Sequence, residues 1–440
     1  MRGAPPFLGG GRRGRGKAGG AVNLLVNTEG CREALIALED GTVLRGRGFG
    51  APGEAFGEIV FNTSMVGYQE VVTDPSYAGQ IVTFTYPQLG NYGITATDAQ
   101  SARPPLRGVV AHDACRTPSN WQCVQSLPDY LAQSGVVGIE DVDTRALTLR
   151  IREAGAMRAA ISTVDLDPAS LLARVRSSAG IGDHNFVADV SCDGTRVVSA
   201  RGEVRHHVVA YDCGMKEGIV ERLAQAGCEV TVVPWDTPAE DVLALHPDGV
   251  LFSNGPGDPT AVPRVPDAVR AVLGRLPVFG ICLGNQMIAL AAGGSIQKLP
   301  YGHHGGNEPV MNLLTGRVEV TAQNHNYGVV FSSLGRLVPE LSGGVTEHPA
   351  DGDLRAWSRA RIAPVVRNER YGRIRLTHVN LNDGTPEGLQ FLDVPAFAVQ
   401  YHPEARPGPN DSAYLFESFA RLMDGRDDYL AIDVREGRCH

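Results

Sequence analysis

The stretch "LPVFGICLGNQMIALAAGG", Leu276 to Gly294, decides the fold. Its opening, "LPVFGI", is a short apolar run that reads as a buried strand. Its close, "NQMIALAAGG", reads as a helix stopped at Gly293-Gly294. Between them stands Cys282, with Gly280 two residues before it and Gly284 two residues after it. A cysteine at such a junction is either a small core residue or a nucleophile. Strand, tight turn and helix with a nucleophile between glycines is the nucleophile-elbow pattern, here with Cys in place of Ser. The turn tolerates only small neighbours, and a helix N-terminus favours thiolate. The N–H of Leu283 then points at a developing oxyanion, and a second donor has to come from another loop.

Upstream of the elbow, strands and helices alternate. "HHVVAYD", "EVTVVPW" and "DGVLFS" read as strands, and "MKEGIVERLAQAG", "PAEDVLALHP" and "VPDAVRAVLGR" as the helices between them. Four such units in succession predict a parallel sheet flanked by helices, with ligands at the carboxyl ends of its strands. "SNGPGDP", Ser253 to Pro259, lies at one such end, and Gly255 and Gly257 let backbone approach a ligand there. A cysteine nucleophile also needs a base. His402, in "FAVQYHPEA", ends an apolar run and precedes Glu404 by two residues, so a carboxylate is placed to orient the imidazole. Taken alone, His402 reads as a surface histidine and Cys282 as a core thiol. The paired glycines and the strand-ending His-Pro-Glu weaken both plain readings.

Earlier in the chain, "ALIALEDGTVLRGRGFG" reads as a hairpin about Asp40-Gly41, and "GEIVFNTS" and "QIVTFTYP" as strands about the loop "TDPSYAG". Residues 125–160 read as two helical pieces, the second starting at Asp143-Thr144. A polar stretch at 191–204 reads as a linker.

"GICLGNQ" and "QYHPE" together resemble the nucleophile and base segments of class I glutamine amidotransferases. "FNTSMVGYQEVVTDPSYAGQIVTFTYPQLGNYG" is similar to the N-terminal domain of the carbamoyl-phosphate synthase small-subunit family, as are "VAYDCGMK", "YGHHGGN", "TAQNHNYGV" and "HVNLNDGTPEG". The resemblance covers roughly residues 34–425. It implies an α/β chain: a swivelling β/β/α domain over 34–190, the linker 191–204, and over 205–428 a class I amidotransferase domain with an open, mostly parallel sheet. Residues 1–33 are then a basic extension and 429–440 a tail. It implies Cys282 as nucleophile, His402 as base and Glu404 as orienting acid. It implies glutamine contacts from Ser76, Gly255, Gly257, Leu283, Gln286, Asn324, Asn326 and Tyr327. Ser76 without the resemblance is a plain turn serine, whereas Gln286, one turn along the helix from Cys282, faces the same pocket. The expected partner is a large subunit that carries ATP and Mg. No cofactor is expected in this chain. Heterodimers that assemble further, a cytoplasmic location, and a role in arginine and pyrimidine synthesis are likewise expected. An amidotransferase of another pathway, anthranilate or guanylate synthesis, is the rival enzyme, and is expected to lack the N-terminal domain. An inactive scaffold for the large subunit is the non-enzyme rival, which intact Cys282, His402 and Glu404 oppose.

Composition agrees with this class. The net charge of −9 argues against nucleic acid as the main partner. No apolar run reaches membrane-spanning length. The eight cysteines show no C-x-x-C pair and no zinc spacing with histidine, the pattern of free thiols in a reducing compartment. His303-His304 alone is weak ground for a metal site, and none is expected. The first twenty residues carry four Arg, one Lys, eight Gly and no acid. Within them "GRRGRGKA" imitates a P-loop but lacks the following Ser or Thr and a preceding strand.

Four departures from the family pattern stand out. Asn285 and Glu308 replace histidines. Asn326 replaces a glycine in "QNHG", so we expect it to keep a glycine-like, left-handed backbone with its side chain turned away from glutamine. The chain between that loop and "THVNLNDGT" is longer than usual. It includes "LRAWSRARIAPVVRNERYGRIR", read as a solvated insertion or a basic surface hairpin.

Overall fold

The computed structural model describes residues 32–350 and 352–432. The basic extension before Arg32, the P-loop-like Gly11–Ala18 and the last eight residues of the tail lie outside them. Seven strands close into a barrel in the order Arg32–Leu38, Val43–Gly50, Val137–Glu140, Gly108–Val110, Gln80–Phe84, Glu54–Asn62 and Met157–Ser162. The first two form the expected hairpin: Gly41 takes φ 102°, which suits glycine, and Asp40 accepts the Thr42 N–H at 2.8 Å. Side chains alternate along the first strand. Ala34, Ile36 and Leu38 join one core, while Leu35 and Ala37 pack on Leu171 and Val175 of the helix Pro168–Ser177.

Residues 125–160 depart from the expectation. Helices form at Leu127–Gln133 and Thr144–Ala154, the latter capped by Asp143, which accepts the Ala146 N–H at 2.9 Å. Between them the buried strand Val137–Glu140 completes the barrel. Four residues are too few to display a period.

A twelve-stranded sheet holds the rest. Its parallel centre runs Cys228–Pro234, His206–Asp212, Gly249–Phe252, Val278–Ile281 and Ala396–Val399. Antiparallel strands Pro386–Phe391, Gly372–Asn380, Ser295–Asn312 and Arg317–Val330 extend it. The linker is not all loop: Arg196–Val198 pairs antiparallel with Cys228–Pro234 at the sheet edge. The Arg-rich insertion does contain a hairpin, but it is not a solvated one. It forms the helix Arg355–Ala360 and a hairpin of Val365–Asn368 with Gly372–Asn380, and Trp357, Val366, Ile374 and Leu376 are buried in the main core. Arginines on one face masked an apolar face that adds to the sheet.

Candidate active site

Because neighbouring central strands are parallel and in register, the residues just past their carboxyl ends gather at one edge. Ile281 is level with Val399, and the Cys282 N–H donates to the Val399 carbonyl at 2.8 Å. The helix Leu283–Ala291 starts at once, with Cys282 at φ 53°, ψ −102°. A non-glycine residue at such angles is strained, and strain of this kind clusters at functional sites. The flanking glycines are sterically required. A Cβ on Gly280 would lie 2.8 Å from the Gly284 backbone, and one on Gly284 would overlap the Phe252 carbonyl oxygen.

His402 is buried, and its Nδ1 lies 2.7 Å from Glu404 Oε1. Its Nε2 has no hydrogen-bond partner. Burial would lower the imidazole pKa, but Glu404 and Cys282 together hold it up at about 10. Burial would raise the Glu404 carboxyl, but Lys216 and His402 hold it down at about 2. Lys216 is buried as well. Its Nζ lies 3.0 Å from Glu404 Oε1 and donates to the Ala405 carbonyl at 2.6 Å. Gln400 also reaches the thiol, Nε2 to Sγ at 3.7 Å, while its Oε1 accepts from Asn285 at 3.0 Å.

A small pocket in front of Cys282 brings together Ser76, Gly255, Gly257, Gln286, Asn324, Asn326 and Tyr327 of the expected set. Leu283, buried beside the thiol, is not part of its lining. Gln80, Ile181 and His325 complete the wall without having been expected. Ser76 sits in a turn capped by Asp74, and its Oγ accepts from Asn254 at 2.9 Å, so the barrel is joined to the sheet at the pocket. Gln286 donates to the Tyr327 carbonyl at 2.8 Å, and the Tyr327 hydroxyl donates to Asp258 at 2.9 Å.

Asn326 contradicts its expectation. It lies within the strand Arg317–Val330 and is absent from the non-glycine residues with positive φ. Antiparallel pairing dictates an extended backbone, and the pairing partner supplies the flexibility instead. The facing strand is irregular between Lys298 and His303, and Gly302 there takes φ 68°. The Asn326 side chain is buried, held between Glu58 and His304.

His303 and His304 face different partners. His303 lies 2.7 Å from Asp383 and 3.4 Å from Glu387. Burial would lower its pKa, but these carboxylates hold it at about 11. His303, His325 and Glu387 are the one group of three among the described residues whose donor atoms lie close enough to share a metal ion.

Lys216, Gln400 and Asn254 were not singled out by sequence. Lys216 was within reach, because "CGMK" follows a parallel strand at the same edge as Cys282.

An α/β sheet with an elbow cysteine and a carboxylate-bound histidine just past the end of the adjacent strand Ala396–Val399 defines a cysteine-nucleophile enzyme domain, joined here to a barrel. The comparisons agree. The family model described as glutamine amidotransferase class-I matches residues 209–339 and 363–422. The model described as carbamoyl-phosphate synthase small chain, CPSase domain, matches residues 36–161. The carbamoyl phosphate synthase small chain of Syntrophotalea carbinolica is 47% identical over 404 residues, covering 89% of this chain and 98% of its own. That of Thermotoga maritima is 46% identical over 394 residues, with coverage of 89% and 98%. The chloroplastic one of Arabidopsis thaliana is 42% identical over 402 residues, with coverage of 89% and 85%. The chain belongs to the carbamoyl phosphate synthase small chain family. It is the glutamine amidotransferase subunit of such a ligase.

Proposed function

We propose that the chain hydrolyses glutamine through a thioester on Cys282 and passes the ammonia to a large synthetase subunit. The observation that carries this is the strained Cys282 elbow facing a buried His402–Glu404 pair. The thiolate, stabilised by imidazolium, attacks the side-chain amide carbon of glutamine. The N–H of Leu283, at the helix start, and backbone of the Gly255–Gly257 loop hold the oxyanion. Protonated His402 gives its proton to the departing ammonia. The neutral ring then takes a proton from water, which attacks the thioester and releases glutamate, and Cys282 leaves as thiolate. Proton transfer by a placed imidazole is worth about 10²–10⁴-fold. Glu404 keeps the ring oriented, and Lys216 keeps Glu404 ionised.

A sequence of pockets supports transfer of ammonia. A second pocket, lined by Asn62, Asp74, Lys216, Asn324 and His402, adjoins the glutamine pocket. It shares Asn324 with the first and Pro407 with a third, open pocket that includes Val66, Tyr92 and Gly408. Met65 and Val66 are about two-thirds exposed, and Trp121, between the pocket residues Asn120 and Gln122, is 91% exposed. Apolar side chains about an opening suit a partner surface. The large subunit, with ATP and Mg, then makes carbamoyl phosphate from bicarbonate and this ammonia. Supply of arginine and pyrimidine synthesis in the cytoplasm, by a heterodimer that assembles further, belongs to the same proposal.

The test is a glutaminase assay with and without the large subunit. The proposal expects stable co-elution and a glutaminase rate that rises when bicarbonate and ATP are added. Full, uncoupled activity of the chain alone, with no co-elution, would contradict it.

A further inference from the structure

The sulfur of Cys282 is reached by an amide that the steps above do not use. Two kinds of group lie within hydrogen-bonding distance of it. The Asn324 carbonyl, at 3.8 Å, only accepts, and so suits a thiol, which has a hydrogen to give. Gln400 Nε2, at 3.7 Å, donates, and so suits a thiolate, which has none. Gln400 is fully buried, on the chain that runs from the strand Ala396–Val399 to His402. Its backbone N–H donates to the Glu387 carbonyl at 2.9 Å, which continues the pairing of that strand with Pro386–Phe391.

The end of the Gln400 amide that faces the sulfur is set by its neighbours. A backbone carbonyl only accepts, so the Tyr327 carbonyl, 2.8 Å from Gln286 Nε2, fixes that end of Gln286 as its NH2. The second hydrogen of the same NH2 meets Gln400 at 3.3 Å, so the Gln400 atom there is the oxygen. Asn285 Nδ2 donates to that oxygen at 3.0 Å. The other end of Gln400, its NH2, is therefore the one at the sulfur. Asn285, which stands where the family has histidine, helps to hold this orientation.

We propose that Gln400 is a further catalytic residue: its amide N–H stabilises the Cys282 thiolate. This rests on the glutamine reading above. The thiolate occurs twice in the cycle. In the attack, sulfur gives its electron pair to the amide carbon, and the S–C bond forms. In the release, that bond breaks, the pair returns to sulfur, and the carbon keeps the oxygen of water. His402 moves the protons. Gln400 gives none up; it keeps the thiolate populated before the attack and makes it a better leaving group afterwards. A neutral amide suits this task, because it keeps its hydrogens throughout.

The experiment compares Gln400→Met and Gln400→Glu with the parent, each as the full chain. Methionine is neutral and of similar length but has no donor, so its effect cannot come from added charge. Glutamate keeps an oxygen for Asn285 and Gln286 and also lacks the N–H, so it serves if the methionine variant does not fold. Alkylation of Cys282 by iodoacetamide is followed across pH by mass spectrometry of the Cys282 peptide. Glutaminase kcat/KM is measured in the complex with the large subunit. In both variants the pH of half-maximal alkylation should rise by about one to two units, and kcat/KM should fall about 10- to 100-fold, the worth of a hydrogen bond to a charged group. His402, the titratable group that contacts Cys282, is common to all three proteins, so the difference reports residue 400. A half-maximum at the parental pH in either folded variant would overturn the inference. So would slower alkylation at every pH with the half-maximum unmoved, the mark of a merely structural role. Excess L-glutamine should protect Cys282 of the parent from alkylation; failure to protect would instead strike the glutamine reading itself.

Discussion

Lys216 and Glu404 form a fully buried ion pair, Nζ to Oε1 at 3.0 Å, whose carboxylate also holds His402. Removing one partner of such a pair strands the other charge in a low-dielectric interior. Lys216→Met should therefore cost about 3–5 kcal/mol of stability, measured by urea unfolding. It should also reduce glutaminase activity, because Glu404 would then ionise less readily and hold the imidazole less firmly.

The stability contributed by Glu404, Asp383, His402 and His303 should be greatest between about pH 4.5 and 6.5 and fall on both sides. Glu404 and Asp383 are each held at about 2, below their ordinary values of 4.5 and 3.8. Their contribution is complete above those ordinary values and is lost as pH falls toward 2. His402 and His303 are held at about 10 and about 11, above the ordinary 6.5. Their contribution is complete below 6.5 and is lost as pH rises toward those values. Each group contributes a slope of about 1.4 kcal/mol per pH unit within its window. Chemical unfolding across pH should show both arms, and His402→Gln should make the alkaline one shallower, leaving the part that His303 contributes.

Gly284→Ala should destabilise the chain by about 1–3 kcal/mol, since the new methyl must displace the Phe252 carbonyl or the helix start. Glutaminase activity should fall with it, as the elbow moves. Gly194→Ala, with open space around it, should stay within about 0.5 kcal/mol of the parent. Thermal unfolding of the two variants side by side reads the difference.

The elbow was legible because its physics is local. A strand, a tight turn and a helix N-terminus leave glycines at fixed offsets, and Gly280 and Gly284 do meet backbone where those offsets place them. The strand Val137–Glu140 was not legible, because four apolar residues carry no period and its barrel partners Arg47–Gly50 and Gly108–Val110 are distant in sequence. Asn326 was misread for a related reason. Substitution of a glycine suggests that a left-handed backbone is retained, yet here strand pairing fixes an extended backbone and Gly302 on the facing strand makes room. The Arg-rich stretch hid Trp357 and Ile374 behind its charges, and only the tertiary structure shows that they enter the core. Lys216 shows the converse: its role depends on a carboxylate 188 positions away in sequence, brought close by the common edge of the parallel sheet.

The central claim is that Cys282 is the nucleophile for glutamine. Its most direct test is Cys282→Ser in the complex with the large subunit, assayed for carbamoyl phosphate synthesis from glutamine and, separately, from ammonia. The account predicts that glutamine-dependent synthesis is abolished while ammonia-dependent synthesis continues at the parental rate. A Cys282→Ser complex that still hydrolyses glutamine at the parental rate would contradict it.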